Sequence, residues 1–325
     1  MTTHASWRSA AAIRTFLVAS LAGIVAAGSY TFFSEDAASL ATHHATGDSS
    51  TPFTTADTGS CLTWDIGRDG QVSGFEQANC QGKHRFEVAS REDLAAYPSS
   101  EFGEGAAMPS LERQAQLREE LCRAPALRYV QGKLDPTGRY SIAPILPPAE
   151  AWAHGDRTML CGFQSTDDQG NAQLTTGKIV DQDQARVAQP GECLIIDEHQ
   201  TLKKVDCAQD HNLETTSIVN VQQKFPDHVP TVEEQDDYLK GVCTQAGMDY
   251  LGGDDPLYAS TLQPYWTPLS EESWNGGSHS VNCALATGGK NGFAVLRGSA
   301  KGQFTIDGNP PAPQPERPPR PSETP

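Results

Sequence analysis

Val205-Asp206-Cys207-Ala208-Gln209-Asp210-His211, with Glu214 just beyond, is the stretch that decides how this chain is built. His211 and Glu214 stand four and seven residues after Cys207, and His84 and Glu87 stand four and seven after Cys80. Working outward, the eight cysteines fall into two similar sets. Cys61, Cys80, Cys122 and Cys161 form one, and Cys193, Cys207, Cys243 and Cys283 the other. The last gap is 39 residues in the first set and 40 in the second. Gly59-Ser60-Cys61-Leu62 matches Gly191-Glu192-Cys193-Leu194. Tyr129 and Tyr250 lie seven residues past the third cysteine, and Gly132 and Gly253 ten past. Asp135-Pro136 answers to Asp255-Pro256. Trp152 and Trp274 each stand nine residues before the fourth cysteine. Agreement in register over so many positions is the mark of a duplicated unit.

An even cysteine count reads as a disulfide framework. Two self-contained sets leave three pairings each. First-to-second and third-to-fourth is favoured, because short extended segments carry the first two cysteines in each set. That arrangement pairs Cys61 with Cys80, Cys122 with Cys161, Cys193 with Cys207, and Cys243 with Cys283. A bridge closing a ~15-residue loop contributes about 3 kcal/mol in the chain-entropy account. Weakly apolar domains need such help, and only 37% of the chain is hydrophobic.

Short strands are predicted at Cys61–Trp64, 193–196, 205–207, 213–221, 159–161 and 281–283. Thr231 and Glu234 form a capping-box pattern after Pro230. Val232, Leu239, Val242, Cys243, Ala246 and Tyr250 then keep a helical period, up to Gly252-Gly253. Ser110 is placed to cap a shorter helix with Leu111, Leu117, Leu121 and Cys122 inward. The segments 145–152 and 264–274 read as Pro-broken, turning helical at their ends. The fold class is therefore α+β, with two homologous disulfide-stapled domains.

Thr15 to Phe33 holds no charged residue. Nineteen residues of helix span about 28 Å, enough to cross a bilayer core. Arg8 and Arg14 precede it and Glu35 and Asp36 follow, which keeps the N-terminus cytoplasmic and sends the bulk outside. The rival reading is a signal peptide cleaved after Val25-Ala26-Ala27; both place the bulk outside the cytoplasm. The organisation predicted is a cytoplasmic N-terminus at 1–14, a transmembrane signal anchor at 15–33 and a flexible stalk at 34–58. Domain 1 follows at 59–180, a linker at 181–190, domain 2 at 191–303 and a disordered Pro-rich tail at 304–325. Net charge is −17, which repels nucleic acid and excludes it as a partner.

The pattern Gly-x-Cys-Leu, then Val-Asp-Cys with a following His and Glu, a helix-borne Cys, and a Pro-led stretch to Trp-x-x-Gly resembles the septum-formation-related domain family of actinobacterial envelope proteins. The likeness covers both copies, 59–180 and 191–303. It is closer in the second, although Gln209 stands where Pro is usual and Thr215 where Val is. In the first copy Gln81-Gly82-Lys83-His84 departs further, while Trp152-Ala153-His154-Gly155-Asp156-Arg157 is better kept. The resemblance implies a membrane-linked extracytoplasmic protein associated with septum formation, and it implies no reaction.

His84 with Glu87 and His211 with Glu214 are the repeated ionisable pairs. With a nearby thiolate such a pair could ligate a metal. On a strand, however, residues three apart face opposite ways, and the cysteine is expected oxidised. A structural hydrogen-bonding role is the expectation for all four, and core packing for Trp152 and Trp274. No Cys-x-x-Cys, Gly-x-Ser-x-Gly, phosphate loop or zinc-protease helix occurs. No catalytic, cofactor-binding or metal residue is expected, and no cofactor. The reading is a non-enzymatic envelope protein, with the cytoplasmic membrane, division proteins or cell-wall polymer as partners. The alternative is a cell-wall enzyme or ligand receptor using the groove between the repeats.

Overall fold

The computed structural model describes residues 55–67, 72–97, 100–167, 170–290 and 292–317. The apolar segment 15–33, the stalk to residue 54 and the end of the tail lie outside these. Among the described residues no helix is long and apolar enough to cross a membrane.

The chain is α+β and divides into two compact units. The first holds the described residues to Arg186 together with Glu272–Ser278; the second holds Val187–Glu271 and the described residues from His279 onward. Segment 272–278 thus departs from the single span 191–303 read from sequence. The reason lies within the first unit. Asp135, 2% exposed, accepts from Ser278 Oγ at 2.5 Å and from Ser273 Oγ at 3.3 Å. The Gln184 amide donates to Gly277 O at 3.0 Å.

In the first unit, β1 (Cys61–Ile66), β2 (Val72–Ala78), β3 (Phe86–Asp93), β4 (Tyr140–Ile145) and β5 (Thr158–Thr166) form an antiparallel sheet in the order β2-β1-β3-β5-β4. A short strand, β6 (Ala172–Gln173), adds to β5. Side chains alternate along β5, so both faces of this strand are buried. Met159 and Cys161 join Leu117, Cys122 and Trp152 in one core cluster. Leu160 joins Leu62, Trp64, Phe86 and Val88 in another. Ala56, fully buried in that second cluster, brings the packed chain back into the predicted stalk.

Helix α1 (Leu111–Leu117) starts where Ser110 Oγ accepts from the Arg113 amide at 3.2 Å. It passes through a π turn at Arg118–Cys122 into α2 (Arg123–Tyr129). Leu111 is 49% exposed rather than inward, because the first helical residue projects beyond the packed turns. Another helix, α3 (Ala149–Ala153), carries Trp152.

In the second unit, β7 (Cys193–Ile196), β8 (Leu202–Val205), β9 (Leu213–Asn220), β10 (Gln263–Trp266) and β11 (Ser280–Ala286) follow the order β10-β11-β9-β7-β8. Read from the other end, this is the order of the first sheet. Even the irregularities coincide: Ala89 and Thr216, each two residues past the repeated Glu, are passed over in the pairing with β5 and β11. Helix α4 (Val232–Leu251) begins with the capping box Thr231/Glu234 and ends at left-handed Gly252. Its buried face is Gln235, Leu239, Cys243 and Gly247. Val232, at the first position, is 51% exposed. Helix α5 (Asp254–Ser260) follows.

Pro264, at the start of a segment that reads as Pro-broken, lies inside a strand, and so does Pro144, just before the other such segment. Both strands, β4 and β10, are at sheet edges. An edge backbone has one side without a neighbour, so a residue lacking an N–H fits there. The segment 205–207 is strand only at Val205. Asp206 Oδ1 accepts from the Ala208 amide at 2.8 Å, and this Asx-type turn puts Cys207 off the ladder.

Bridges join Cys61 to Cys80, Cys122 to Cys161, Cys193 to Cys207, and Cys243 to Cys283. The first and third close β-hairpins. The second and fourth fasten a helix to β5 and β11. The C-terminal chain is engaged beyond residue 303. Thr305–Ile306 pairs with Leu296–Arg297. Tyr258 donates to Pro315 O at 3.1 Å, and Arg317 stacks 3.9 Å from the Tyr258 ring while pairing with Asp254. An aromatic face and an acid thus hold a Pro-rich segment that has no core of its own.

Candidate functional site

The repeated His and Glu converge instead of diverging. In each ladder the first cysteine is paired with the Glu: Cys61 with Glu87 and Cys193 with Glu214. The two side chains therefore lie side by side. His84 and His211 precede the strands and are outside their alternation. Each is held instead by an isolated bridge, His84 to Thr175 and His211 to Leu296. The strand rule for residues three apart does not apply there, which corrects the opposite-face expectation. One ligand-type atom each of Cys61, His84 and Glu87 lies within 4.8 Å of the other two, and the same holds for Cys193, His211 and Glu214.

Each set is sealed from solvent. Exposure is 3% or less for all six residues, and zero for Cys193, His211 and Glu214. Buried carboxylates need partners. Glu87 accepts from Tyr129 Oη at 2.5 Å and from the Ile179 amide at 2.7 Å. Glu214 accepts from Tyr250 Oη at 2.6 Å, Ser299 Oγ at 2.7 Å and the Ala300 amide at 2.7 Å. Burial first, then donation to these carboxylates, pushes both phenols well above the ordinary tyrosine range.

The imidazoles are oriented the same way twice. His84 Nδ1 lies 3.0 Å from Gly82 O, and His211 Nδ1 lies 2.9 Å from Gln209 O. A carbonyl can only accept, so Nδ1 carries the proton. His211 Nε2 is buried without a hydrogen-bond partner.

Tyr129 and Tyr250 complete the set, and their part in it is not read from sequence. Their shared offset from the third cysteine was the available signal. Not every repeated position keeps a shared role. Asp135 is buried and bonded, whereas the side chain of its counterpart Asp255 is 93% exposed. Trp152 and Trp274 are both buried, at 3% and 9%. Trp152 Nε1 donates to Ala106 O at 2.8 Å, with the Arg157 guanidinium 4.1 Å from its ring.

The model of the septum formation family matches residues 58–283 in one span, across both four-cysteine units. The chain is also similar to two proteins from two strains of Mycobacterium tuberculosis, each named an uncharacterized membrane protein. Each is 38% identical over 271 residues, covering 82% of this chain and 60% of the relative. The chain thus spans less than two thirds of the length of the curated relatives it matches. No solved structure matches it. On the family match and these relatives together, the chain belongs to the septum formation family.

Proposed function

We propose that this chain is a non-enzymatic, membrane-anchored envelope protein that serves septum formation through its extracytoplasmic units, by binding another envelope protein or wall polymer. The observation that carries the reading is the family match over residues 58–283. Three further features support it. All eight cysteines are in bridges, which suits an oxidising compartment. The charged segment boundaries around 15–33 favour a cytoplasmic N-terminus. The relatives carry membrane-protein names. Within each unit the repeated ionisable groups face inward and tie its own elements together, which leaves the outer surface for partner binding.

The test is localisation of a tagged full-length chain in dividing cells, combined with deletion of its gene. Enrichment at the septum and a division defect are expected. Uniform distribution with normal division would overturn the septal part of the reading. Fractionation separates the anchor from the alternative: a cleaved chain would be soluble outside the cell and start near Gly28.

A further inference from the structure

We propose that the Cys193–Cys207 bridge gates a buried transition-metal site, made of Cys193 Sγ, His211 Nε2 and Glu214, which takes a zinc-class ion when the bridge is reduced. The proposal is independent of the envelope reading.

Three observations point to it. The first is convergence: the three groups lie within 4.8 Å of one another and none has measurable exposure. Nitrogen, sulfur and carboxylate oxygen together are a donor set that zinc accepts. The second is the lone pair on His211 Nε2. It is buried and without a partner, and its tautomer is fixed by the donation from Nδ1 to Gln209 O. A histidine that ligates a metal is oriented in this way, its other nitrogen donating to a carbonyl or carboxylate. The third is the support behind Glu214. Tyr250, Ser299 and the Ala300 amide position its carboxylate from outside the cluster, as outer partners position a ligating carboxylate.

The bridge supplies the gate. While it is closed, Cys193 Sγ is bonded to Cys207 and offers no thiolate. Cys207 is partly exposed, so a thiol reductant can reach it. Two thiols of the reductant are oxidised to a disulfide, and the Cys193–Cys207 bond is reduced to two thiols. Metal binding then expels the Cys193 thiol proton to solvent and forms the sulfur–metal bond. Cys207 Sγ or a water completes four ligands. Cys61, His84 and Glu87 repeat the arrangement in the first unit, with His84 Nδ1 on Gly82 O.

The test uses Co²⁺ as the probe and the full chain carrying Cys207→Ala, which frees Cys193 without a reductant and leaves the other bridges intact. One equivalent of Co²⁺ is expected to give thiolate-to-cobalt charge-transfer absorption and the intense visible bands of tetrahedral cobalt. Adding His211→Ala should abolish both signals. A folded Cys207→Ala chain with no charge-transfer band, or a band that His211→Ala leaves unchanged, would overturn the proposal. Should Cys207→Ala fail to fold, wild-type chain reduced with a phosphine is titrated and compared with reduced His211→Ala. Equal spectra for the two, or no thiolate–cobalt band in either, overturns it equally.

Discussion

Tyr250, in the last turn of α4, donates its phenolic proton to Glu214 on β9 at 2.6 Å, tying helix to sheet beside the Cys193–Cys207 bridge. Tyr129 and Glu87 repeat the contact at 2.5 Å in the first unit. Because Glu214 is fully buried, its partners are an obligation as well as a source of stability. Glu214→Ala would leave the Tyr250 and Ser299 hydroxyls and the Ala300 amide without their acceptor. Each buried donor stranded in this way costs about 1–3 kcal/mol, so the expected loss is about 3–5 kcal/mol. Tyr250→Phe removes one hydrogen bond from this buried carboxyl group and should cost about 1–3 kcal/mol. Urea unfolding measures both. Stability unchanged in Glu214→Ala would show that the carboxylate does not tie the elements together.

The same contacts set an alkaline limit. Burial, then hydrogen bonding to the carboxylates, raises the pKa of Tyr129 and Tyr250 in the folded chain. A raised folded pKa means that the folded state holds the proton more tightly. The stabilisation is therefore complete below the unfolded tyrosine pKa, about 10, and is lost as pH rises beyond it toward the folded value. In an ultraviolet titration, two of the eight tyrosines should ionise only as the chain unfolds. Tyr129→Phe with Tyr250→Phe should flatten the loss of stability above about pH 10. An unchanged alkaline transition in the double variant would contradict this.

Reduction should proceed in two stages. Cys80 and Cys207 are partly exposed, whereas Cys122, Cys161, Cys243 and Cys283 are at most 1% exposed. Under graded reductant, the hairpin bridges Cys61–Cys80 and Cys193–Cys207 should open first, and alkylation with peptide mapping would show it. Removing the bridges outright should reverse the ranking of severity. Closing a loop with separation 40 is worth about 4 kcal/mol in the chain-entropy account, against about 3 kcal/mol for a separation of 14. Cys243→Ala with Cys283→Ala should therefore destabilise more than Cys193→Ala with Cys207→Ala. The reverse order would mean that bridge strain or denatured-state structure outweighs loop entropy.

Thr231 shows what is legible in the sequence. A capping box is a local pattern, and both of its bonds are formed: Thr231 Oγ1 accepts from the Glu234 amide at 3.2 Å, and Glu234 accepts from the Thr231 amide at 2.8 Å. Repeats in register are equally legible, because they need only comparison along the chain. The strands holding Pro144 and Pro264 are not, since edge position is a property of the finished sheet. Nor is the meeting of His211 with Glu214, which depends on the bridge from His211 to Leu296, far along the chain. Thr231→Ala should cost about 1 kcal/mol and fray the first turn of α4, read as faster amide exchange there. Unchanged exchange would show that the Gln235 side chain, bonded to Pro230 O and Leu269 O, holds that end alone.

Gly162 on β5 leaves no room for a side chain against β3. A Cβ there would sit 2.1 Å from Glu87 O and 2.5 Å from the Phe86 ring. The first neighbour is backbone, so no rotamer change relieves it, and Gly162→Ala should cost about 3 kcal/mol, the upper range for overpacking. The second unit has solved the same position differently. Ala284 follows Cys283 as Gly162 follows Cys161, and it pairs just before the irregularity at Thr216 as Gly162 pairs before Ala89. Leu213 stands there in place of Phe86. Phe86→Leu should therefore recover part of the loss in Gly162→Ala by clearing the ring contact, while the backbone contact keeps the recovery incomplete. Thermal unfolding of the single and double variants measures the coupling. Full recovery would assign the whole cost to the ring, and none would assign it to the Glu87 carbonyl.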